Sequence, residues 1–157
     1  MSLLVQKFGG ASVGDTDRIG QVADKVARFR ADGHDLVVVV SAMSGETNRL
    51  IELAHEVQER PVLRELDVLL STGEQVTTAL LAMALNARGV KAKSYTGAQV
   101  RILTDDAHTK ARIRDIDDER ARTALTACRN KSRSSGKPLC LPLMEKDWQV
   151  GTCKAYC

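Results

Sequence analysis

Lys7-Phe8-Gly9-Gly10-Ala11-Ser12-Val13-Gly14 gathers the residue types of an anion site into one short span. Glycines let backbone amides come close to an anion that side chains would block. A helix that starts just after them adds its positive N-terminal end. Lys7 supplies a point charge for phosphate oxygens. These parts suit phosphoryl transfer, where catalysis is mostly positioning and charge neutralisation. On local pattern alone a plainer reading weighs as much. Gly-Gly after a strand is often just a turn, and one lysine is often just solvated. The span is neither Gly-x-x-x-x-Gly-Lys-Ser/Thr nor Gly-x-Gly-x-x-Gly, and Gly9, Gly10 and Gly14 give a weak dinucleotide spacing.

Two further stretches carry polar chemistry. Ser41-Ala42-Met43-Ser44-Gly45-Glu46-Thr47-Asn48 reads as a hydroxyl-rich loop, and Ser71-Thr72-Gly73-Glu74 interrupts a helical pattern. Each has a plain alternative. Ser41 serves equally well as a cap for the next segment, Thr47 as a helix N-cap, and Glu74 as a solvated acid. His34, His55 and His108 fall in no common motif, and surface or structural roles are expected for them.

The elements that position these residues follow an α/β grammar. Leu3 to Phe8 reads as a buried strand. Asp15 or Thr16 caps a helix through Ile19, Val22, Ala23, Val26, Ala27 and Phe29, which Gly33 ends. Leu36 to Val40 is a continuous apolar run, typical of a strand covered on both faces. Leu50 to Val57 returns to helical period, and Pro61 breaks the chain. Helical patterns cover Leu63 to Leu70 and Val76 to Leu85, and a short strand follows near Val90 to Tyr95. Strands alternating with helices predict right-handed crossovers and a mostly parallel sheet. Ligands of such sheets gather beyond the carboxyl ends of the strands. Lys7, Ser41 and their loops lie at that edge.

Composition narrows the class. The chain has 157 residues, enough for one domain with a core, and a net charge of +3. Aromatics are 3%, too few for the stacking platforms of single-stranded nucleic-acid binders. The start does not read as a signal peptide, and no stretch reads as the roughly 18 apolar residues of a membrane span. A cytoplasmic protein without nucleic-acid or membrane partners is expected. Cys128, Cys140, Cys153 and Cys157 form no Cys-x-x-Cys pair, so they are expected to be free thiols and no metal site is expected.

Residues 2–126 closely resemble the N-terminal part of the aspartate kinases, of the amino-acid kinase fold. The matching stretches are Lys7-Phe8-Gly9-Gly10-x-Ser12-Val13, Val40 to Asn48, Leu70-Ser71-Thr72-Gly73-Glu74, Tyr95-Thr96-Gly97 and Thr104-Asp105-x-x-His108. Several long motifs in the right order are more specific than any one. Ala11 departs from the pattern, since the family usually has threonine there. The resemblance implies an α/β/α sandwich with a mostly parallel sheet, incomplete at its C-terminal side. It implies transfer of a phosphoryl group from Mg-ATP to the side chain of L-aspartate, giving 4-phospho-L-aspartate. That is the first step toward lysine, threonine and methionine. Lys7 would be catalytic, Lys7, Phe8, Gly9, Gly10 and Ser41 would bind ATP, and Ser12, Thr47 and Glu74 would bind aspartate. Full-length relatives would be homo- or hetero-oligomers. Two alternatives stand beside this: a catalytically inert fragment, and an amino-acid kinase acting on another carboxylate.

The resemblance stops near Ala127, which divides the chain into 1–127 and a divergent tail, 128–157. The tail carries six Lys/Arg against two Asp/Glu, of totals of 23 and 20. The family continues instead with a Val-Val-Ala-Gly strand, a glycine-rich Arg/Ser/Asp loop and a nucleoside-binding half. The genetic code links the two. Joining the last two bases of each codon to the first of the next lets Cys128 to Gly136 read Ala-Gly-Ile-Lys-Val-Val-Val-Ala-Gly. The tail therefore reads as out of frame and is expected to pack poorly, leaving an unprotected sheet edge.

Overall fold

The computed structural model describes residues 2–99, 102–108, 110–116, 119, 123 and 139–142. Strand β1, Leu3–Phe8, pairs in parallel with β2, Asp35–Val40, from Leu3 opposite Asp35 to Phe8 opposite Val40. Every β2 residue after Asp35 is buried, as the apolar run requires. A 3-10 turn, Gly10–Val13, leads from β1 toward α1, Thr16–Ala31. Asp15 is the N-cap of α1, its carboxylate accepting the Arg18 N–H at 2.7 Å. Gly33, with φ of 89°, turns the chain from α1 into β2.

Helix α2 spans Glu46–Val57 and α3 spans Leu63–Ala87. Strand β3, Ala92–Tyr95, follows, then an antiparallel hairpin of β4, Ile102–Thr104, and β5, Ile113–Ile116. The main sheet has the order β1-β2-β6-β3, with β6 at Leu139–Pro142, and every pairing in it is parallel. Val13, Val26, Leu36, Val38, Leu81 and Leu85 meet in one core between sheet and helices. Burying each such side chain is worth about 1.5–3 kcal/mol, so this cluster outweighs helix propensity in holding α1 and α3 on the sheet.

The structure corrects the sequence reading at several points. Leu3 to Phe8 is not a buried strand: β1 lies at the end of the strand order and alternates exposed with partly buried residues, so only one of its faces meets the core. Ser71 to Glu74 does not interrupt a helix: α3 runs unbroken for 25 residues. The hydroxyls of Ser71, Thr72, Thr77 and Thr78 donate to the carbonyls of Val68, Leu69, Gly73 and Glu74 on the same helix, so they compete with nothing outside it. The loop after β2 is shorter than expected, because α2 already begins at Glu46. Strand β3 starts at Ala92 rather than Val90, where the Asn86 amide bonds both the N–H and the carbonyl of Ala92.

By length and composition α3 is long and apolar enough to cross a membrane, against the expectation that no stretch is. It nevertheless buries Asp67, Thr77 and Thr78 and packs against α1, α2 and β3, as a core helix does. The expectation that the tail packs poorly fails at 139–142. There the backbone enters the sheet, with Val37 opposite Cys140 on one side and Ala92 to Tyr95 opposite Leu139 to Pro142 on the other. A four-residue segment can satisfy the facing backbone groups of two parallel strands whatever its wider sequence context. Pro142, which lacks an N–H, closes the strand at its last position. The rest of the tail, including Cys128, Cys153 and Cys157, lies outside the described residues.

Candidate active site

Three segments meet beyond the carboxyl ends of β1 and β2. The first is the glycine loop. Lys7 stands opposite Val39 in the ladder and is exposed. Its amine folds back over Gly9: a Cβ at Gly9 would stand 3.3 Å from Lys7 Nζ. The second segment is the β2–α2 loop. The Ser41 N–H donates to the Phe8 carbonyl at 3.1 Å, which continues the β1–β2 pairing one step past the strands. A Cβ at Gly10 would lie 3.1 Å from the Ala42 carbonyl oxygen, and one at Gly14 would lie 3.3 Å from Ser44 Cβ. Packing of one loop on the other is therefore itself a reason for Gly10 and Gly14.

The third segment is the middle of α3. Glu74 is half-buried, and its Oε1 accepts the Ala42 N–H at 3.1 Å. One turn of contact below, a Cβ at Gly73 would stand 3.1 Å from Ala42 Cβ and 3.5 Å from Glu46 Cγ. Ala42, 5% exposed, thus touches all three segments: its carbonyl faces Gly10, its N–H faces Glu74 and its methyl faces Gly73. Sequence reasoning missed this role. The available signal was Gly73 inside an otherwise helical run, which marks a place where something packs close.

The other expected site residues are placed less centrally. Ser41 is half-buried at the mouth of its loop. Ser12 is exposed, and its N–H donates to the Gly9 carbonyl at 2.8 Å. Thr47 is exposed on the first turn of α2, whose N-cap is Gly45 at φ 78° and not a hydroxyl residue. Among the described residues no hydrogen bond joins Ser12 or Thr47 to Lys7 or Glu74. The Phe8 ring is not at this edge. It packs against the core, with Lys25 Nζ 5.8 Å from its centroid, so only its backbone borders the site.

Charge at the junction is partly committed. Arg49 holds Glu46 in two hydrogen bonds, of 2.7 and 2.9 Å, and keeps its carboxyl below the usual carboxylate range. The three histidines are engaged elsewhere, with Ser2, with the Glu59 carbonyl and with Asp67. Among the described residues no group of three or more His, Cys, Asp or Glu side chains is placed to hold a metal ion. The junction therefore offers a lysine amine over glycine backbone on one side. On the other it offers a carboxylate with one oxygen fixed, an arrangement able to hold an anion beside a group bearing a positive charge.

The model of the amino acid kinase family matches residues 2–131. An aspartate kinase of Pseudomonas fluorescens is 70% identical over 131 residues, which cover 82% of this chain and 32% of that protein. This chain thus spans about a third of the length of the curated relatives it matches. Among solved structures, an aspartate kinase from Synechocystis superposes with a TM-score of 0.69 at 38% identity, covering 90% of this chain and 21% of that one. Aspartokinase III of E. coli, solved with aspartate and ADP, superposes with a TM-score of 0.69 at 23% identity, covering 91% and 40%, a likeness of fold.

Proposed function

This chain belongs to the amino acid kinase family, and from that premise we propose that it carries the phosphate side and part of the acceptor side of an aspartate kinase site. The whole reaction moves the terminal phosphoryl group of ATP to the side-chain carboxylate of L-aspartate. A carboxylate oxygen forms the new bond to phosphorus, the bond to the bridging oxygen breaks, and that electron pair leaves on ADP. The acceptor is already an anion, so no strong base is needed, and the protein's task is to align two negative groups and neutralise them.

The residues divide that task. Lys7 neutralises charge that grows on the transferring group. Gly9 and Gly10 offer backbone amides to the phosphates, and Ser41 offers its hydroxyl. Glu74 pairs with the ammonium of aspartate, while Ser12 and Thr47 offer hydroxyls to its remaining polar groups. Mg2+ would enter with the nucleotide and would supply further neutralisation, since among the described residues no group of three or more His, Cys, Asp or Glu side chains is placed to hold it. The observation that carries this reading is the junction at Ala42, which sets the Lys7 loop and Glu74 against one another. Glu74 also favours an acceptor that carries an ammonium, which argues against a family member whose acceptor lacks one. The same reading places the protein in the cytoplasm, at the entry to lysine, threonine and methionine synthesis, with oligomeric full-length relatives.

A second reading concerns these 157 residues alone. Phosphoryl transfer needs donor and acceptor held in line. These residues contain no counterpart of the family's Arg/Ser/Asp loop, and we propose that residues 128–157 are an out-of-frame tail. The chain by itself is then expected to form no ADP in response to aspartate. Aspartate-dependent ADP formation by the purified chain would overturn that inert reading. Resequencing the coding DNA past Ala127 tests the frame, the expected result being a restored Gly-Arg-Gly-Gly-Ser-Asp-like loop. In a chain completed with the remainder of its Pseudomonas relative, Lys7→Ala should lower turnover by at least about 100-fold. Unchanged turnover would remove Lys7 from the mechanism.

A further inference from the structure

The glycine loop is held from a direction the site itself does not explain. Its 3-10 turn, Gly10–Val13, has no side-chain cap. Instead Arg18, in the first turn of α1, reaches back. Its Nη1 donates to the Ala11 carbonyl, and its Nε lies 3.4 Å from Asp15 Oδ2. Asp15 Oδ1 meanwhile accepts the Arg18 backbone N–H at 2.7 Å. Both oxygens of Asp15 are thus engaged with Arg18, and the guanidinium bridges the helix cap and the loop.

The consequence follows from peptide planarity. In a trans peptide the C=O of one residue and the N–H of the next lie in one plane and point in opposite directions. Arg18 fixes the Ala11 carbonyl, so it fixes the Ser12 N–H, which donates to the Gly9 carbonyl at 2.8 Å. A fixed Gly9 carbonyl in turn fixes the N–H of Gly10. We infer that Arg18, braced by Asp15, is a positioning residue that aims the Gly10 amide at the bound phosphate through two linked peptide planes. The inference rests on the phosphate-binding reading of the loop and assigns a role to two residues outside its motif. Asp15 and Arg18 are both more than half exposed, so their pairing adds little to global stability. Its effect is on direction.

The alternative is that Arg18 merely adds positive charge near an anion. Asp15→Asn separates the two accounts, because they predict opposite signs. Asparagine keeps the N-cap acceptor but replaces Oδ2, the ion-pair partner of Nε, with an uncharged amide nitrogen that does not attract the guanidinium. Removing a negative charge should tighten anion binding if only charge matters. It should weaken binding if Asp15 braces Arg18. The probe is inorganic tripolyphosphate titrated into the full 157-residue chain, read by the amide NMR shifts of Gly9, Gly10 and Ser12.

Asp15→Asn, Arg18→Gln and Arg18→Lys should each weaken binding by about fivefold, as loss of one aimed hydrogen bond would. Each should also speed hydrogen exchange at the Ser12 amide, with the core amides unchanged. Wild-type affinity in Arg18→Lys, or equal or tighter binding in Asp15→Asn, would overturn the inference. Lys7→Ala serves as the control for the parent reading. If wild type binds and only Lys7→Ala fails to, the phosphate reading stands and this inference falls. If wild type shows no shifts at the loop, the phosphate reading fails, and unchanged Ser12 exchange in Arg18→Gln would remove the brace as well.

Discussion

The backbone N–H of Ala42 donates to Glu74 Oε1 across 3.1 Å, while the Ala42 methyl rests in the space left by Gly73. One loop residue is thereby held by two successive residues of α3. Replacing Gly73 tests how tightly. Alanine would gain about 1 kcal/mol of helix propensity. Its methyl would stand 3.1 Å from Ala42 Cβ, a few tenths of an ångström too close, and Ala42 can yield only by moving its backbone. The two effects oppose, so Gly73→Ala should change stability by less than about 1 kcal/mol. Gly73→Val adds bulk with no such gain and should cost about 1–3 kcal/mol in urea unfolding. A Gly73→Val chain as stable as wild type would show that the junction is loosely packed.

Acid stability has a defined sign at the far end of α3. Arg88 Nε lies 2.7 Å from Asp24 Oδ1, and its other nitrogens reach the carbonyls of Ala84 and Gly20, tying α3 to α1. The Arg88 hydrogen bond holds the Asp24 carboxyl below its ordinary range. The folded state therefore binds that proton less readily than the unfolded one. The contribution is fully present above about pH 4 and is lost as pH falls through the lowered value. Asp105, which accepts the Arg112 and Ala107 N–H groups, and Glu46 behave alike. Asp24 is exposed and Glu46 and Asp105 are partly so, and each share is small and salt-screened. Melting temperatures measured from pH 7 to pH 3 should fall less steeply for Asp24→Asn than for wild type. Equal slopes would show that this pair does not contribute.

The elements that rest on local pattern were legible in the residues themselves. The β2 run, the helix start at Asp15 or Thr16 and the Lys7 loop are each set within one short span, and the structure keeps them, with Asp15 as the cap. What was not legible depends on partners distant in sequence. Ala42 has nothing in its own stretch to mark it, since its neighbours are Gly10 and Gly73. The Ser-Thr-Gly-Glu motif reads as a break by composition. Four side-chain bonds to carbonyls on the same helix and one close contact make it the centre of α3. Phe8 sits in a motif but turns its ring to the core, because alternate residues of a strand face opposite sides. Strand β6 has no periodicity to find, and only the two strands beside it give Leu139–Pro142 a place.

The hairpin of β4 and β5 offers a third test. His108, in the turn between these strands, meets Asp67 of α3, with Nδ1 and Oδ2 3.2 Å apart and Asp67 1% exposed. A buried acid contacted from a hairpin turn acts as an anchor for that hairpin. His108→Ala should raise hydrogen exchange at Ile102 to Thr104 and at Ile113 to Ile116 by about tenfold, the effect of losing one hydrogen bond and leaving its buried partner atom without that bond. The amides of α1 should not change. Exchange at the hairpin equal to wild type would place its anchorage elsewhere.

The last test concerns β1, an edge of the sheet among the described residues. Its ladder with β2 leaves the opposite row of N–H and C=O groups open to another chain. Leu3 and Val5, 47% and 65% exposed, lie on one face of the same strand. An apolar face beside open backbone is a template for pairing between copies. Val5→Lys places a charge on that face without touching the core row of Leu4, Gln6 and Phe8. The purified wild-type chain should bind a hydrophobic dye and form higher-order species as concentration rises. Val5→Lys should lower both while leaving the urea midpoint close to wild type. A wild-type chain that stays monomeric and dye-free at every concentration would show that this strand is protected.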